Sequence, residues 1–184
     1  VYKRQADVFI EHPEVGAIAR PYFAFDTDIG KPIRYKKRLM SDQKDVEIVS
    51  INDDPSRVVG VFRTLDQLSG LAFRKALITV PFHDDIFTSH VYLFASILKN
   101  NPIAFLPNYT IAVRVWTSQC KSVSSIYNKS PVESWIELFD TVFKEERFVK
   151  LRSYAIKNFC ADNAVGLIQI RNYSRYPLLS LIHI

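Results

Sequence analysis

The strongest constraint on this chain is that its apolar residues follow two different periods in turn. Compact apolar runs at 15–20, 46–51, 103–106 and 109–116 read as strands, the first extended by Tyr22, Phe23 and Phe25. Elsewhere apolar residues recur at helical spacing. Val58, Val59, Phe62, Leu65 and Leu68 form one stripe, and Phe87, Val91, Phe94, Ile97 and Leu98 a second. Trp135, Leu138, Phe139, Val142 and Phe143 form a third, whose pattern resumes through residue 160. The punctuation agrees. Asp54-Pro55 supplies an N-cap and a first-turn proline, and Lys129-Ser130-Pro131 opens the last helical region. Gly70 breaks the first stripe, 72–77 reads as a short helical turn or coil, and Asn100-Asn101-Pro102 ends the second stripe. Short strands alternating with helices predict an α/β layer with a helical C-terminal part.

Composition narrows the function classes. With 48% hydrophobic and 23% charged residues, the chain is too apolar to be disordered and too charged for a membrane bundle. No run reaches the ~18 apolar residues of a spanning helix. Two cysteines, Cys120 and Cys160, exclude a disulfide framework and suggest a reducing compartment. They lie far apart with no histidine pattern, which argues against a thiol nucleophile. No glycine-rich phosphate loop appears.

Both ends carry a second signal. Val1-Tyr2-Lys3-Arg4-Gln5 is the translation of GTG TAT AAG AGA CAG, and 179–184 that of CTG TCT CTT ATA CAC ATC. These are one transposon adapter read in opposite directions, so the native fragment is expected to be 6–178. The formal charge of +5 then loses Lys3 and Arg4, which weakens a nucleic-acid reading, and His183 drops out as a candidate ligand.

The most informative segment is 68–118. It holds Leu68-Ser69-Gly70-Leu71-Ala72-Phe73-Arg74, then Phe82-His83-Asp84-Asp85-Ile86-Phe87-Thr88. Ile103-Ala104-Phe105-Leu106-Pro107, Tyr109, Arg114 and Ser118 follow. In order and spacing this resembles the family-two glycosyltransferases, inverting enzymes of the GT-A fold. The shared features are a small, basic-ended loop, an acidic pair opening a helix and a strand ending in proline. An aromatic-rich strand closing on arginine and a Ser/Thr-bearing loop complete them. The resemblance covers about two thirds of the fragment.

It implies the C-terminal half of a GT-A, Rossmann-like domain over 6–128, then a helical C-terminal extension over 129–178. It implies transfer of a sugar from a nucleotide-diphosphate donor to a glycan or lipid-linked acceptor. Asp85 matches the general base that takes the acceptor's proton, with Asp84 beside it; a helix N-terminus would favour the ionised form. Read locally, the same pair is an N-cap and a first-turn acid. Arg114, Ser118 and Lys121 match the segment that closes over the donor diphosphate. Ser69, Gly70 and Arg74 match the acceptor side, where glycine would allow a sugar to approach closely.

The family's DxD metal motif is missing from its place. Asp26-Thr27-Asp28 has the spelling but reads as a turn. A divalent metal, Mg or Mn, is therefore expected to be held in the full-length enzyme by a DxD upstream of Ala6. The fragment alone is expected to be inactive and to hold no metal; His83, Asp84, Asp85 and His90 do not have ligand spacing. The basic run at 34–38 reads as a solvated face, with contact to anionic lipid or to a phosphate-bearing acceptor as its functional alternative. The expected setting is cytoplasmic, at the inner face of the membrane, with peripheral lipid contact and no nucleic-acid partner. The rival reading is a non-catalytic binding module for nucleic acid or protein.

Overall fold

A computed structural model describes residues 2–36, 45–115 and 129–170, with side chains as far as Asp162. These residues form a mixed α/β fold of five α-helices and two mixed sheets. The helices are α1 (Tyr2–Glu11), α2 (Pro55–Phe62), α3 (Ser89–Leu98), α4 (Pro131–Val142) and α5 (Val149–Ile170). The first sheet holds β1 (Ala17–Ala19), β4 (Glu47–Val49), β5 (Ala72–Phe73) and β6 (Ile103–Phe105), in the order β4-β6-β1-β5. The second holds β2 (Tyr22–Phe25), β3 (Arg34–Tyr35) and β7 (Ile111–Arg114), in the order β3-β2-β7.

Each sheet has a parallel pair, β1 with β6 and β2 with β7; the remaining strands are antiparallel to their neighbours. Strand β2 follows β1 after Arg20-Pro21, and β7 follows β6 after 106–110, so one parallel pair runs on into the other. The Leu106 N–H donates to the Ala19 carbonyl at 3.0 Å where they meet.

Strand β1 is buried on both faces, which explains its unbroken apolar sequence. Ile18 meets Val8, Val15, Ala104 and Leu106 on the α1 side. Ala17 and Ala19 face the larger core built on α2 to α5. Gly16 lets this strand start against α3, since a Cβ there would lie 2.5 Å from Ile97 Cγ2. Phe62 centres the larger core, with ring contacts to Phe94 (5.9 Å), Trp135 (6.4 Å), Phe139 (4.9 Å) and Phe143 (6.0 Å). The 6–128 unit and the helices after it thus share one core.

Several boundaries differ from the periodicity. Helix α2 stops at Phe62, and Leu65 reaches the core from a turn. Residues 72–73 form a strand on β1, where local sequence predicts helix or coil. Helix α3 starts at Ser89, and the last stripe is cut into two helices around a 3-10 turn at Glu146–Phe148. Residues 2–5, read as adapter translation, lie in the N-terminal part of α1, where Gln5 is buried and Arg4 pairs with Glu11 at 3.1 Å.

Candidate functional site

In open α/β sheets ligands bind beyond the carboxyl ends of the parallel strands. Here the carboxyl end of β1 is followed by Arg20, which is buried and donates to Thr110 Oγ1 at 2.6 Å. Against it packs the 3-10 turn Leu68–Gly70. A Cβ on Gly70 would lie 3.2 Å from the Arg20 carbonyl oxygen. The close approach this glycine allows is therefore made by backbone, which corrects the expectation that it admits a sugar. Ser69 is exposed at this edge. The chain just before the turn also touches the start of α3, with His90 Nε2 lying 2.6 Å from the Leu65 carbonyl oxygen. The Ser69-Gly70 turn and the approach to α3 therefore share one edge of the sheet.

Arg74 is at the opposite end. Its N–H donates to the Gly16 carbonyl, before β1 begins. Its guanidinium donates to the carbonyls of Val15 (2.7 Å), Phe9 (2.6 Å) and His12 (3.3 Å) and lies over the Phe9 ring. The acceptor-binding role expected for Arg74 is corrected to that of a clamp: its Nε and Nη2 donors go to backbone at the amino edge.

The acid pair divides into two environments. The Asp85 side chain is 1% exposed. Its Oδ1 accepts from the N–H groups of Phe87 (2.9 Å) and Thr88 (2.8 Å) and from Thr88 Oγ1 (2.8 Å). Its Oδ2 accepts from Lys129 Nζ (2.9 Å) and Ser134 Oγ (2.7 Å). Burial alone would raise this carboxyl, but the bonds from Lys129, Ser134 and Thr88 outweigh it and hold it well below the usual carboxylate range. Five donors fill the ~4 lone-pair sites of a carboxylate. Nothing is left to take a proton, so the general-base role expected for Asp85 is corrected to that of an anchor. Nor does it open α3. It closes the turn before the helix, whose N-cap is Thr88.

Asp84 is exposed. It lines an open cleft of about 630 Å³ with Phe82, His83, Tyr92, Ser96 and Lys99 among its walls. The His83 ring stacks on Tyr92 at 3.9 Å, and its Nδ1 accepts the Asp85 N–H at 3.2 Å. The neutral ring then carries its proton on Nε2.

Arg114 ends β7 in the second sheet, exposed, with its guanidinium over the Phe25 ring at 5.5 Å. Ser118 and Lys121 lie outside the described residues. Asp26-Thr27-Asp28 leads into a turn, with Asp28 Oδ1 accepting the Gly30 N–H at 2.8 Å. Among the described residues no group of three or more His, Cys, Asp or Glu is placed to hold a metal ion, and no helix is long and apolar enough to cross a membrane.

No family model matches the chain, and no curated protein or solved structure matches it.

Sequence reasoning passed over Asp66. Its carboxylate accepts from the Tyr22 hydroxyl (2.9 Å) and pairs with Lys36 Nζ (2.9 Å), tying the second sheet to the chain just before the turn that carries Ser69. Burial and then the Asp66 charge push the Tyr22 phenol up. No local motif announces this group, because its members come from separate elements. The same holds for Lys129 and Ser134.

Proposed function

We propose that the chain is the acceptor-side part of an inverting, family-two-like glycosyltransferase of GT-A type. It would move a sugar from a nucleotide-diphosphate donor to a glycan or lipid-linked acceptor. The observation that carries this reading is the placing of the exposed Ser69 turn and the approach to α3 at the carboxyl edge of a parallel strand pair. In the reaction the acceptor hydroxyl attacks the anomeric carbon, the bond to the diphosphate breaks, and a carboxylate takes the hydroxyl proton. Asp84 is the member of the pair with free access, and we assign it that proton. Asp85 is a positioning residue: its bonds to Phe87 and Thr88 hold the turn that turns His83 and Asp84 outward. Arg114, with Ser118 and Lys121, is assigned to the donor diphosphate. The described residues do not fit a divalent metal, so no step here is routed through one; the Mg or Mn site of the proposal belongs to a DxD before Ala6. The working place of the enzyme is the cytoplasmic side of a membrane.

The test is a transfer assay on the chain extended upstream through its donor half, with a panel of nucleotide-diphosphate sugars. Acceptor-dependent release of nucleoside diphosphate is expected. Asp84→Asn should lower kcat by roughly 10²- to 10⁴-fold with an unchanged fold. A folded enzyme with no transfer from any donor overturns the reading. An Asp84→Asn enzyme of full activity overturns the base assignment alone.

A further inference from the structure

The cleft that carries Asp84 combines aromatic walls, scattered polar groups and an open negative charge. Three rings line it: Phe82, which is 59% exposed, and His83 stacked on Tyr92 at 3.9 Å and 11°. Its volume of about 630 Å³ is that of a small-molecule site. Polar groups stand among the rings. They are the Asp84 carboxylate, the Ser96 hydroxyl of α3 and the N–H that the neutral His83 ring keeps on Nε2. The two charged residues on the wall are not equivalent. Lys99 is already answered by Glu145, with Nζ 2.6 Å from Oε1. Asp84 has no ion-pair or hydrogen-bond partner among the described residues. The charge left open on this wall is therefore negative. The wall is also set before any ligand arrives. The bonds from Phe87, Thr88, Lys129 and Ser134 to the Asp85 carboxylate, with that from the Asp85 N–H to His83 Nδ1, hold the turn that carries Phe82 to Asp84. A preformed wall spares a ligand the cost of ordering it.

We infer that this cleft binds an uncharged sugar ring. One face of a pyranose is a plate of C–H groups that lies against an aromatic ring, and its rim of hydroxyls meets a carboxylate, a hydroxyl and an imidazole N–H. Other ligand classes fit less of the wall. A phosphate or carboxylate would face the open charge of Asp84. A purely apolar ligand would strip water from that carboxylate and give it no donor. A simple organic cation would leave the His83 Nε2–H without an acceptor. That the sugar is the acceptor of the transfer rests on the transferase reading, which it narrows: the end of the acceptor that enters is a neutral glycan unit, not a phosphate or an acidic sugar.

The experiment is saturation-transfer NMR on the full chain with cellobiose, maltose and N,N′-diacetylchitobiose. Glucuronic acid, glucose 1-phosphate and tetramethylammonium are the charged comparisons. Saturation should reach the ring C–H groups of an uncharged disaccharide and pass over the charged compounds. Phe82→Ala should weaken the disaccharide binding by about 10-fold while keeping the circular dichroism and melting of the parent, since this side chain faces solvent. Asp84→Asn should raise the glucuronic acid signal. A parent that binds none of the uncharged disaccharides overturns the inference. So does one that binds a charged compound more tightly, or a Phe82→Ala protein that binds as well as the parent. The two readings fail separately. An extended enzyme that transfers only to acidic or phosphate-ended acceptors overturns the neutral-sugar inference and keeps the transferase. One that binds uncharged disaccharides in this cleft but transfers from no donor overturns the transferase and keeps the sugar site.

Discussion

At the scale of single residues, a carboxylate taken out of water and given five donors behaves as a structural ion. Replacing Asp85 by Ala would leave the Thr88 N–H and Ser134 without their acceptor and Lys129 with Glu137 alone. A loss of about 2–4 kcal/mol is expected in urea unfolding. The pH dependence follows from the lowered carboxyl. A group whose folded value lies below its unfolded one stabilises above the unfolded value, ~3.9 for Asp. That contribution fades as pH falls through the folded value. The stability gap between parent and Asp85→Asn should therefore be full at neutral pH and shrink in acid. A gap that stays constant down to acid unfolding would contradict this account. That the two acids stand ahead of a helix was legible in the sequence. The split between a buried anchor and an exposed acid was not, because Ser134 comes from another helix, α4, and Lys129 from the segment leading into it.

At the scale of elements, local chemistry was the reliable guide. Ser130-Pro131 reads as a helix start, and Ser130 Oγ does accept the Val132 N–H at 3.3 Å. Ser130→Ala should cost about 1 kcal/mol, and more if it also loosens the neighbouring Lys129–Asp85 bond. A variant as stable as the parent would show that this cap is idle. Asp54-Pro55 opens α2 in the same way. Where an element exists through pairing, local reading failed. Ala72 and Phe73 are a strand because Ile18 and Ala17 lie opposite them, and nothing within 72–77 carries that information.

For the whole molecule, the decisive feature is one core shared by the sheet, α2, α3 and the last two helices. Phe62→Ala should cost ~3–5 kcal/mol, as an aromatic deletion at a packed centre does. Unfolding should be a single transition, with far-ultraviolet dichroism and tryptophan fluorescence coinciding. Two separated transitions would mean that 129–170 folds as its own unit. The sequence by itself determined the α/β class, the main apolar stripes and the starts of α2 and α4, because period and capping are properties of neighbouring residues. Tertiary structure alone decided which face of a strand is inward. In β4 it is Glu47 and Val49 that are buried, Glu47 lying 3.7 Å from Arg57, while Ile48 is only half-buried. It also decided that Arg74 clamps backbone, that Gly70 meets Arg20 and that Asp85 is saturated. Each of these depends on which distant donor or carbonyl the fold brings within hydrogen-bond reach, and a linear pattern does not encode that distance.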